Sequence, residues 1–174
     1  KVAKRSVAAT GITSDGYYAT DRWKVRLTNG GTWSMYLNAG AGGDAAADGF
    51  PTSLWLDNTT ADASLGAGDY VRVGQTIEAQ NCRALKFGTA NAETLTLGFW
   101  VYCTKTGTYI AELHREDSDR QCSQSYTISS SDTWEYKVLN FPADTTGIIN
   151  DDNGSGLELI FWMGAGTNYT SGTL

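Results

Sequence analysis

The sequence predicts an all-β fold, a two-sheet antiparallel β-sandwich, from three observations. Helix-forming residues are sparse, whereas β-branched and aromatic residues, including 6 Trp and 9 Tyr among 174 residues, are abundant. Several short segments alternate apolar and polar side chains, which is the period of a half-buried strand. Turn residues, 20 Gly among them, separate these segments at the spacing typical of a sandwich.

The first strand pattern covers residues 22–27, with Trp23, Val25 and Leu27 on one face. Asn29-Gly30-Gly31 follows as a strong turn signal, and residues 32–38 resume the alternation. These residues predict a first β-hairpin.

The later strand patterns are separated by polar or glycine-rich connections at residues 39–49, 58–68 and 144–156, and residues 82–87 predict one helical turn. These patterns occupy residues 53–57, 70–80, 95–103, 108–114, 121–128, 134–141 and 157–163. About nine strands of this kind predict a sandwich with jelly-roll topology.

The strand at residues 95–103 is predicted to be central in a sheet. Leu95, Leu97, Phe99 and Val101 share one face and form core, while Trp100 and Tyr102 are on the other. That second face is either covered by the loops at 39–49 and 144–156 or open to a ligand. Flat aromatic rings suit sugars because they bury the C–H face of a pyranose.

Five aromatic residues are therefore candidates for carbohydrate binding. Trp100, Tyr102 and Trp162 would share one surface if the strand at residues 95–103 neighbours the last strand, and Trp55 and Tyr109 have less support. Their rings could equally pack inside the protein, and the sequence leaves that alternative open.

Charge and composition exclude several classes of function. The net charge of −6 and a pI near 4.6 argue against non-specific nucleic-acid binding. No apolar run approaches the roughly 20 residues that span a bilayer. His114 is the only histidine, and no serine lies in a Gly-x-Ser-x-Gly elbow. Clustered acids in polar loops indicate solvated turns rather than a glycosidase pair. The sequence thus predicts a protein that is not an enzyme.

Metal and disulfide chemistry are also expected to be absent. Asp151-Asp152-Asn153-Gly154 offers hard oxygen ligands for a structural calcium ion, but without the spacing of a calcium loop. The prediction is therefore no cofactor, with calcium as the alternative. Cys82, Cys103 and Cys122 predict three free thiols, and a Cys82–Cys122 bridge is the alternative.

Several stretches together resemble a known family. The chain is similar to the jelly-roll structural proteins of tailed bacteriophages, which occur in tail fibres, head fibres and capsid decorations. It is more distantly similar to the β-sandwich carbohydrate-binding modules of secreted glycosidases. The stretches that carry the resemblance are residues 18–23, 75–78, 87–92, 95–103, 133–135, 141–145 and 156–164.

The resemblance implies a domain organisation. Residues 1–17 are expected to form an N-terminal arm or entry strand, and residues 18–174 a jelly-roll domain of the carbohydrate-binding-module type. In that family a further insert and a closing strand follow, so the domain is expected to lack its closing strand or to receive one from a partner.

The resemblance also implies a function. The expected protein is a non-enzymatic structural component of a bacteriophage virion, made in the host cytoplasm and exposed on the particle as a capsid decoration, head fibre or tail fibre domain. Expected partners are the major capsid protein or tail proteins, further copies of the chain and a host-surface glycan, with no nucleic acid and no membrane insertion. The alternative is a carbohydrate-binding module of a secreted bacterial polysaccharide-active protein.

Overall fold

The computed structural model describes residues 6–38 and 46–170, and this part of the chain is built almost entirely of β-strands. Three short 3₁₀ helices, Ala79–Leu85, Glu116–Ser118 and Thr167–Tyr169, accompany them. The strands of the described part are β1 (Ala8–Ile12), β2 (Gly16–Tyr17), β3 (Trp23–Thr28), β4 (Thr32–Asn38), β5 (Ser53–Thr60), β6 (Tyr70–Glu78), β7 (Leu95–Cys103), β8 (Gly107–Arg115), β9 (Arg120–Ile128), β10 (Thr133–Phe141) and β11 (Ser155–Ala165). The predicted all-β sandwich is confirmed, whereas jelly-roll topology stays a prediction.

The strands form three sheets, with orders β1-β4-β5, β10-β7 and β2-β3-β6-β11-β8-β9. Contacts divide the chain into a first unit, Lys1–Gly74 with Trp162–Thr173, and a second unit, Gln75–Phe161 with Leu174. Both divisions fall inside strands, β6 and β11. The predicted boundary at residue 18 stays a prediction.

In the first unit, the predicted hairpin of β3 and β4 is wrong. β4 pairs with β1 and β5, while β3 pairs with β2. The turn between them contains Asn29 at φ 46° and Gly31 at φ 82°. A Cβ on Gly30 would collide with the side chain of Val71, and one on Gly31 with the carbonyl oxygen of Thr60. The glycines thus let the chain pass between crowded strands into another sheet instead of folding back on itself.

In the second unit, β7 and β10 form a ladder of nine directly paired residues. The predicted inner face of β7 is confirmed, because Leu95, Leu97, Phe99 and Val101 pack against the buried core of this unit. β7 is not a central strand, however, since its sheet has two strands. The core contains Cys82, Ala111, Leu113, Tyr126, Ile128, Leu139, Phe141 and Leu157.

All three cysteines are free, as the sequence predicts, with Cys82 buried and Cys103 and Cys122 half-buried. Burial, and next the nearby Glu78, raise the pKa of the Cys82 thiol. Within residues 6–38 and 46–170, no helix has the length and apolar character required to cross a bilayer.

Candidate functional site

The outer face of the β7–β10 sheet carries four aromatic side chains in adjacent positions. Trp100 pairs directly with Tyr136, and Tyr102 with Trp134. The ring centroids of the two pairs are 5.4 and 5.6 Å apart, at tilted angles. Because strand side chains alternate, all four rings are on the face opposite the core. We call Trp100, Tyr102, Trp134 and Tyr136 the aromatic ladder.

Two of the four rings are largely open to solvent. Tyr102 is 46% exposed and Tyr136 53% exposed, while Trp100 and Trp134 are half-buried. Gly98 lies beside Tyr136, and a Cβ on it would meet the Tyr136 hydroxyl group. The missing side chain of Gly98 thus leaves room for the Tyr136 ring to lie across β7.

Hydrogen bonds at the β9–β10 turn fix one end of the ladder. The Tyr102 hydroxyl donates to Asp132 Oδ1 at 3.1 Å. This hydrogen bond is the main reason why the pKa of the Tyr102 phenol is raised. The Asp132 backbone N–H in turn donates to the carbonyl of Cys103 at 2.9 Å. The ring of Tyr102 is therefore oriented before any ligand arrives.

A charged pair occupies the inner side of β10 directly behind the ladder. Glu135 accepts hydrogen bonds from the backbone N–H groups of Ser129 and Ser130, at 2.9 and 2.8 Å, and pairs with Lys137. The Lys137 hydrogen bond and then the Ser130 N–H hold the pKa of Glu135 below its usual range. These contacts tie the turn to β10 and hold the strand in register.

The ladder has the chemistry of a sugar platform. Exposed aromatic faces can bury the C–H groups of a pyranose, and polar groups at the edge can bind its hydroxyls. Such groups are present at both ends: Asp132 beside Tyr102, and the hydrogen-bonded pair of Thr96 and Asn140, 2.8 Å apart, beyond Gly98.

Of the predicted site residues, the structure brings Trp100 and Tyr102 together but does not place Trp162 with them. The expected pairing of the last strand with β7 is wrong, since β11 lies between β6 and β8 in another sheet. Trp134 and Tyr136 were missed, although their two-residue spacing in a strand pattern marks them as sharing a face.

The two remaining candidates lie elsewhere. Trp55 on β5 is 51% exposed and packs against its cross-strand partner Tyr36, with ring centroids 5.1 Å apart. Tyr109 is half-buried and stacks on Tyr126 at 5.8 Å, and its hydroxyl donates to the Lys105 carbonyl. Burial raises the pKa of Tyr109 to about 12. Internal contacts thus occupy one face and the hydroxyl of Tyr109.

Trp162 belongs to a separate group of side chains in the first unit. Its ring centroid lies 6.3 Å from that of Tyr70 and 5.7 Å from that of Tyr169. The guanidinium carbon of Arg72 is 5.2 Å from the Trp162 ring and 5.4 Å from the Tyr70 ring. Trp162 is therefore surrounded by a different set of partners from the one predicted.

A cleft of about 250 Å³ in the second unit is lined by charged groups that bind one another. Asp144 pairs with both Arg115 and Arg120. Burial alone would raise the pKa of Asp144, but hydrogen bonds from Arg120, from two backbone N–H groups and from Arg115 hold it well below its usual range. An ionised carboxylate between two guanidinium groups stabilises the fold and is not available as a general acid.

The groups considered for metal binding are also engaged within the chain. Asp151 binds Arg83, and Asp152 accepts a hydrogen bond from the Gly154 N–H at 2.8 Å. In the described residues, no three or more His, Cys, Asp or Glu side chains come together as metal ligands would. The absence of a cofactor, and calcium as its alternative, stay predictions.

The sequence matches no family model and no curated protein. In structure, the chain is similar to the enzymatically active domain of tailspike protein 4 from bacteriophage CBA120, with a TM-score of 0.50 and 19% sequence identity. The match covers 81% of this chain and 17% of that chain. The likeness shows a shared fold, and it supports the predicted resemblance at the level of a bacteriophage tail protein fold.

The same neighbour corrects the prediction that the protein is not an enzyme. That prediction is contradicted, since a solved structure with this fold is an enzymatically active tailspike domain. The reason for the error is that the missing serine elbow and facing carboxylates exclude only two kinds of hydrolase. At 19% identity over 17% of the other chain, the likeness assigns no activity and no active-site residue to this chain.

Proposed function

We propose that the chain is a β-sandwich module of a bacteriophage tail-associated protein, exposed on the virion, whose aromatic ladder binds host-surface carbohydrate. The tailspike fold supports a position on the tail rather than on the capsid. Its partners are then other tail proteins and further copies of itself, and its place of synthesis is the host cytoplasm. The alternative, a module of a secreted bacterial polysaccharide-active protein, would use the same ladder, but the tailspike likeness favours the phage.

The observation that carries the proposal is the exposure of adjacent rings on a rigid pair of strands. Tyr102 and Tyr136 each leave about half of their surface open, although Trp134 and Trp100 pack beside them. Rings already fixed by the ladder lose little conformational freedom when a ligand binds. An open aromatic face of this kind is typical of a binding surface rather than of a solvated sheet.

The expected affinity for one site is low. If each ring–sugar contact contributes about what an aromatic pair does, roughly 1 kcal/mol, four contacts give a dissociation constant of about 1 mM. Several copies on one particle would bind a repetitive polysaccharide much more tightly through avidity. Proposed self-association is thus part of how the surface would work.

The proposal is tested by screening the protein on an array of bacterial surface glycans and titrating the best ligand by tryptophan fluorescence. Replacing both Tyr102 and Tyr136 with Ala should lower the affinity at least tenfold, because the two exposed rings are lost. The control is Trp55→Ala, which removes an equally exposed ring from another sheet and should change the affinity less than twofold. No glycan bound, or equal losses in the ladder and control variants, would reject the proposal.

A second role for the same surface is assembly with a virion protein. Val138, 53% exposed, extends the ladder with an apolar side chain, and the two-stranded sheet leaves the outer edges of β7 and β10 without a partner strand in the described part of the chain. An open edge can accept a strand from another chain. Protection of the β7 and β10 amides from hydrogen exchange in the intact particle, but not in the isolated protein, would favour this role.

A further inference from the structure

The first unit has a sheet face where basic side chains are concentrated. In β3, Val25 and Leu27 are buried, so the intervening Lys24 and Arg26 project to the opposite face. Tyr17 of β2 pairs directly with Lys24 and shares that face. Lys24 and Arg26 are half-buried and Tyr17 is exposed.

The neighbouring strand continues the same pattern. β6 lies next to β3 in the sheet, and its Val71 and Val73 are buried. Tyr70 and Arg72 alternate with them and therefore face the same side as the basic residues of β3. Trp162 on β11, the next strand in the order, contacts Tyr70 with its ring.

Arg72 is held between aromatic rings rather than by a carboxylate. Its guanidinium carbon is 5.4 Å from the Tyr70 ring and 5.2 Å from the Trp162 ring. Tyr169, 44% exposed, closes the group at 5.2 Å from Tyr70. Within the part of the chain that the structure describes, Arg72 has no ion-pair partner, and its buried Nε atom has no hydrogen-bond acceptor.

The charge of this face is opposite to that of the whole protein. The chain carries −6, yet the outward positions of β3, β6 up to Gly74 and β11 from Trp162 contain Lys24, Arg26 and Arg72 and no acidic residue. A local positive region on an acidic protein attracts a particular anion rather than polyanions in general. We call Tyr17, Lys24, Arg26, Tyr70, Arg72, Trp162 and Tyr169 the basic aromatic face.

We propose that the basic aromatic face binds an anionic glycan, a chain of sugars that carry carboxylate groups. Arg72 would receive a carboxylate through the planar fork of its guanidinium group, whose position is fixed by two rings. Tyr169 would stack on the adjoining sugar ring, and Lys24 would attract the next carboxylate along the chain. The need for both ring contacts and charge separates this ligand from neutral glycans and from simple polyanions.

The site is separate from the aromatic ladder, and it goes beyond the function proposed for that ladder. It lies wholly in the first unit, whereas the ladder lies in the second. A test on Arg72 can therefore fail while carbohydrate binding by the ladder survives, and the reverse also holds.

The experiment measures binding of the full chain to polygalacturonate, the carboxylate-bearing probe, by calorimetry at low and moderate salt. Dextran supplies sugar rings without charge, polyphosphate supplies charge without sugar rings, and single-stranded oligo-dT supplies charge with bases. We expect binding to polygalacturonate that weakens with salt, and at least tenfold weaker binding to each of the other three.

Arg72→Gln should lower the affinity for polygalacturonate at least tenfold, and Arg72→Lys at least threefold, because lysine keeps the charge but loses the fork. Arg83→Gln is the matched control, since it removes the same charge from an exposed residue paired with Asp151 in the second unit, and should change the affinity less than twofold. Should Arg72→Gln not fold, as judged by its thermal transition, Tyr169→Ala decides, with an expected loss of at least fivefold.

Four outcomes would overturn the proposal. They are no measurable binding to polygalacturonate, equal binding to dextran, equal or tighter binding to polyphosphate or oligo-dT, and a similar loss in the Arg72 and Arg83 variants. Loss of polygalacturonate binding on replacement of Tyr102 and Tyr136 with Ala, with Arg72 intact, would place the anionic glycan on the ladder and would overturn it too.

Discussion

Replacing Asp144 with Asn should strongly destabilise the second unit. Asp144 Oδ1 accepts the backbone N–H groups of Thr146 and Gly147, at 2.8 and 3.1 Å. Its Oδ2 binds Arg120 Nε at 2.7 Å and also the guanidinium group of Arg115. An Asn that keeps its oxygen on the backbone N–H groups must turn its own NH₂ group toward both guanidiniums, where donors face donors.

The size of the effect follows from the burial of Arg115. Its side chain is 4% exposed, and beyond Asp144 its guanidinium lies over the ring of Phe87 at 5.2 Å. Its Nη1 atom is buried without an acceptor among the described residues. Removing one partner of a buried ion pair leaves the other charge uncompensated and costs about 3 to 5 kcal/mol. We expect about 3 kcal/mol, because Arg120 is partly exposed and regains contact with water.

The matched control is Asp151→Asn, which breaks the ion pair with Arg83. Those side chains are 57% and 67% exposed, so the loss should be about 0 to 1 kcal/mol. Urea denaturation at pH 7, followed by tryptophan fluorescence, measures both variants. For a chain of this size, about 3 kcal/mol corresponds to a thermal midpoint lowered by roughly 6 to 12 °C.

The pH dependence of stability gives an independent check on the same carboxyl group. The pKa of Asp144 in the folded protein lies below that of an unfolded chain, about 3.9. Its contribution is therefore complete above that unfolded value and is lost progressively as the pH falls toward the folded one. Since Asn cannot titrate, the difference in unfolding free energy between wild type and Asp144→Asn should shrink as the pH falls from 6 to 3.

The reasoning is refuted if Asp144→Asn loses less than about 1 kcal/mol at pH 7, the range of the exposed control. It is also refuted if the difference from wild type stays constant down to pH 3, because the stabilising species is the ionised carboxylate.

Other consequences can be measured in the same way. Gly31→Ala should cost more than 2 kcal/mol, because φ is 82° and a Cβ would strike a backbone carbonyl, whereas Gly11→Ala, at φ 67° in open space, should cost about 1 kcal/mol. Phe141→Ala, at a site 1% exposed, should cost about 3 to 5 kcal/mol and Val138→Ala, 53% exposed, less than 1 kcal/mol in urea denaturation. Tyr109 should ionise near pH 12 rather than 10 in absorbance titration at 295 nm, and Tyr109→Phe should remove that late component; its stabilising contribution is present below pH 10 and is lost as the pH rises toward 12.

Strand positions could be predicted from the sequence, but strand partners could not. Alternation located β7, β8, β9 and β10 to within one residue at each end, because burying one face imposes a period of two. Partner choice depends on contacts between distant residues. The turn at Asn29-Gly30-Gly31 has the composition of a hairpin, yet its glycines serve a close approach to Val71 and Thr60 that no local pattern encodes.

The candidate site was half predictable for the same reason. Trp100 and Tyr102 follow from alternation along β7 alone. Trp134 and Tyr136 join them only because β10, rather than β11, pairs with β7. With a different neighbour assumed, Trp162 was assigned to this surface, although it packs with other residues in the first unit.

The N-terminal half of β10 has an inverted pattern. Hydrophobicity alone would turn Trp134 and Tyr136 toward the core and Glu135 and Lys137 toward water. The register does the opposite, since the two rings face outward while the side chains of Glu135 and Lys137 are 15% and 18% exposed. A one-residue slip of β10 would exchange the two sets of side chains.

That inversion has an energetic cost, and the rest of β10 explains why the strand tolerates it. Leu139 and Phe141, in the same register as Glu135, are buried in the core, so a slip would expose both and lose about 1.5 to 3 kcal/mol for each. The core thus fixes the register at one end of the strand, and the rings at the other end must remain outside. A stretch that breaks the hydrophobic pattern while the fold holds it in place is typical of a functional surface, and here it is the stretch that forms the aromatic ladder.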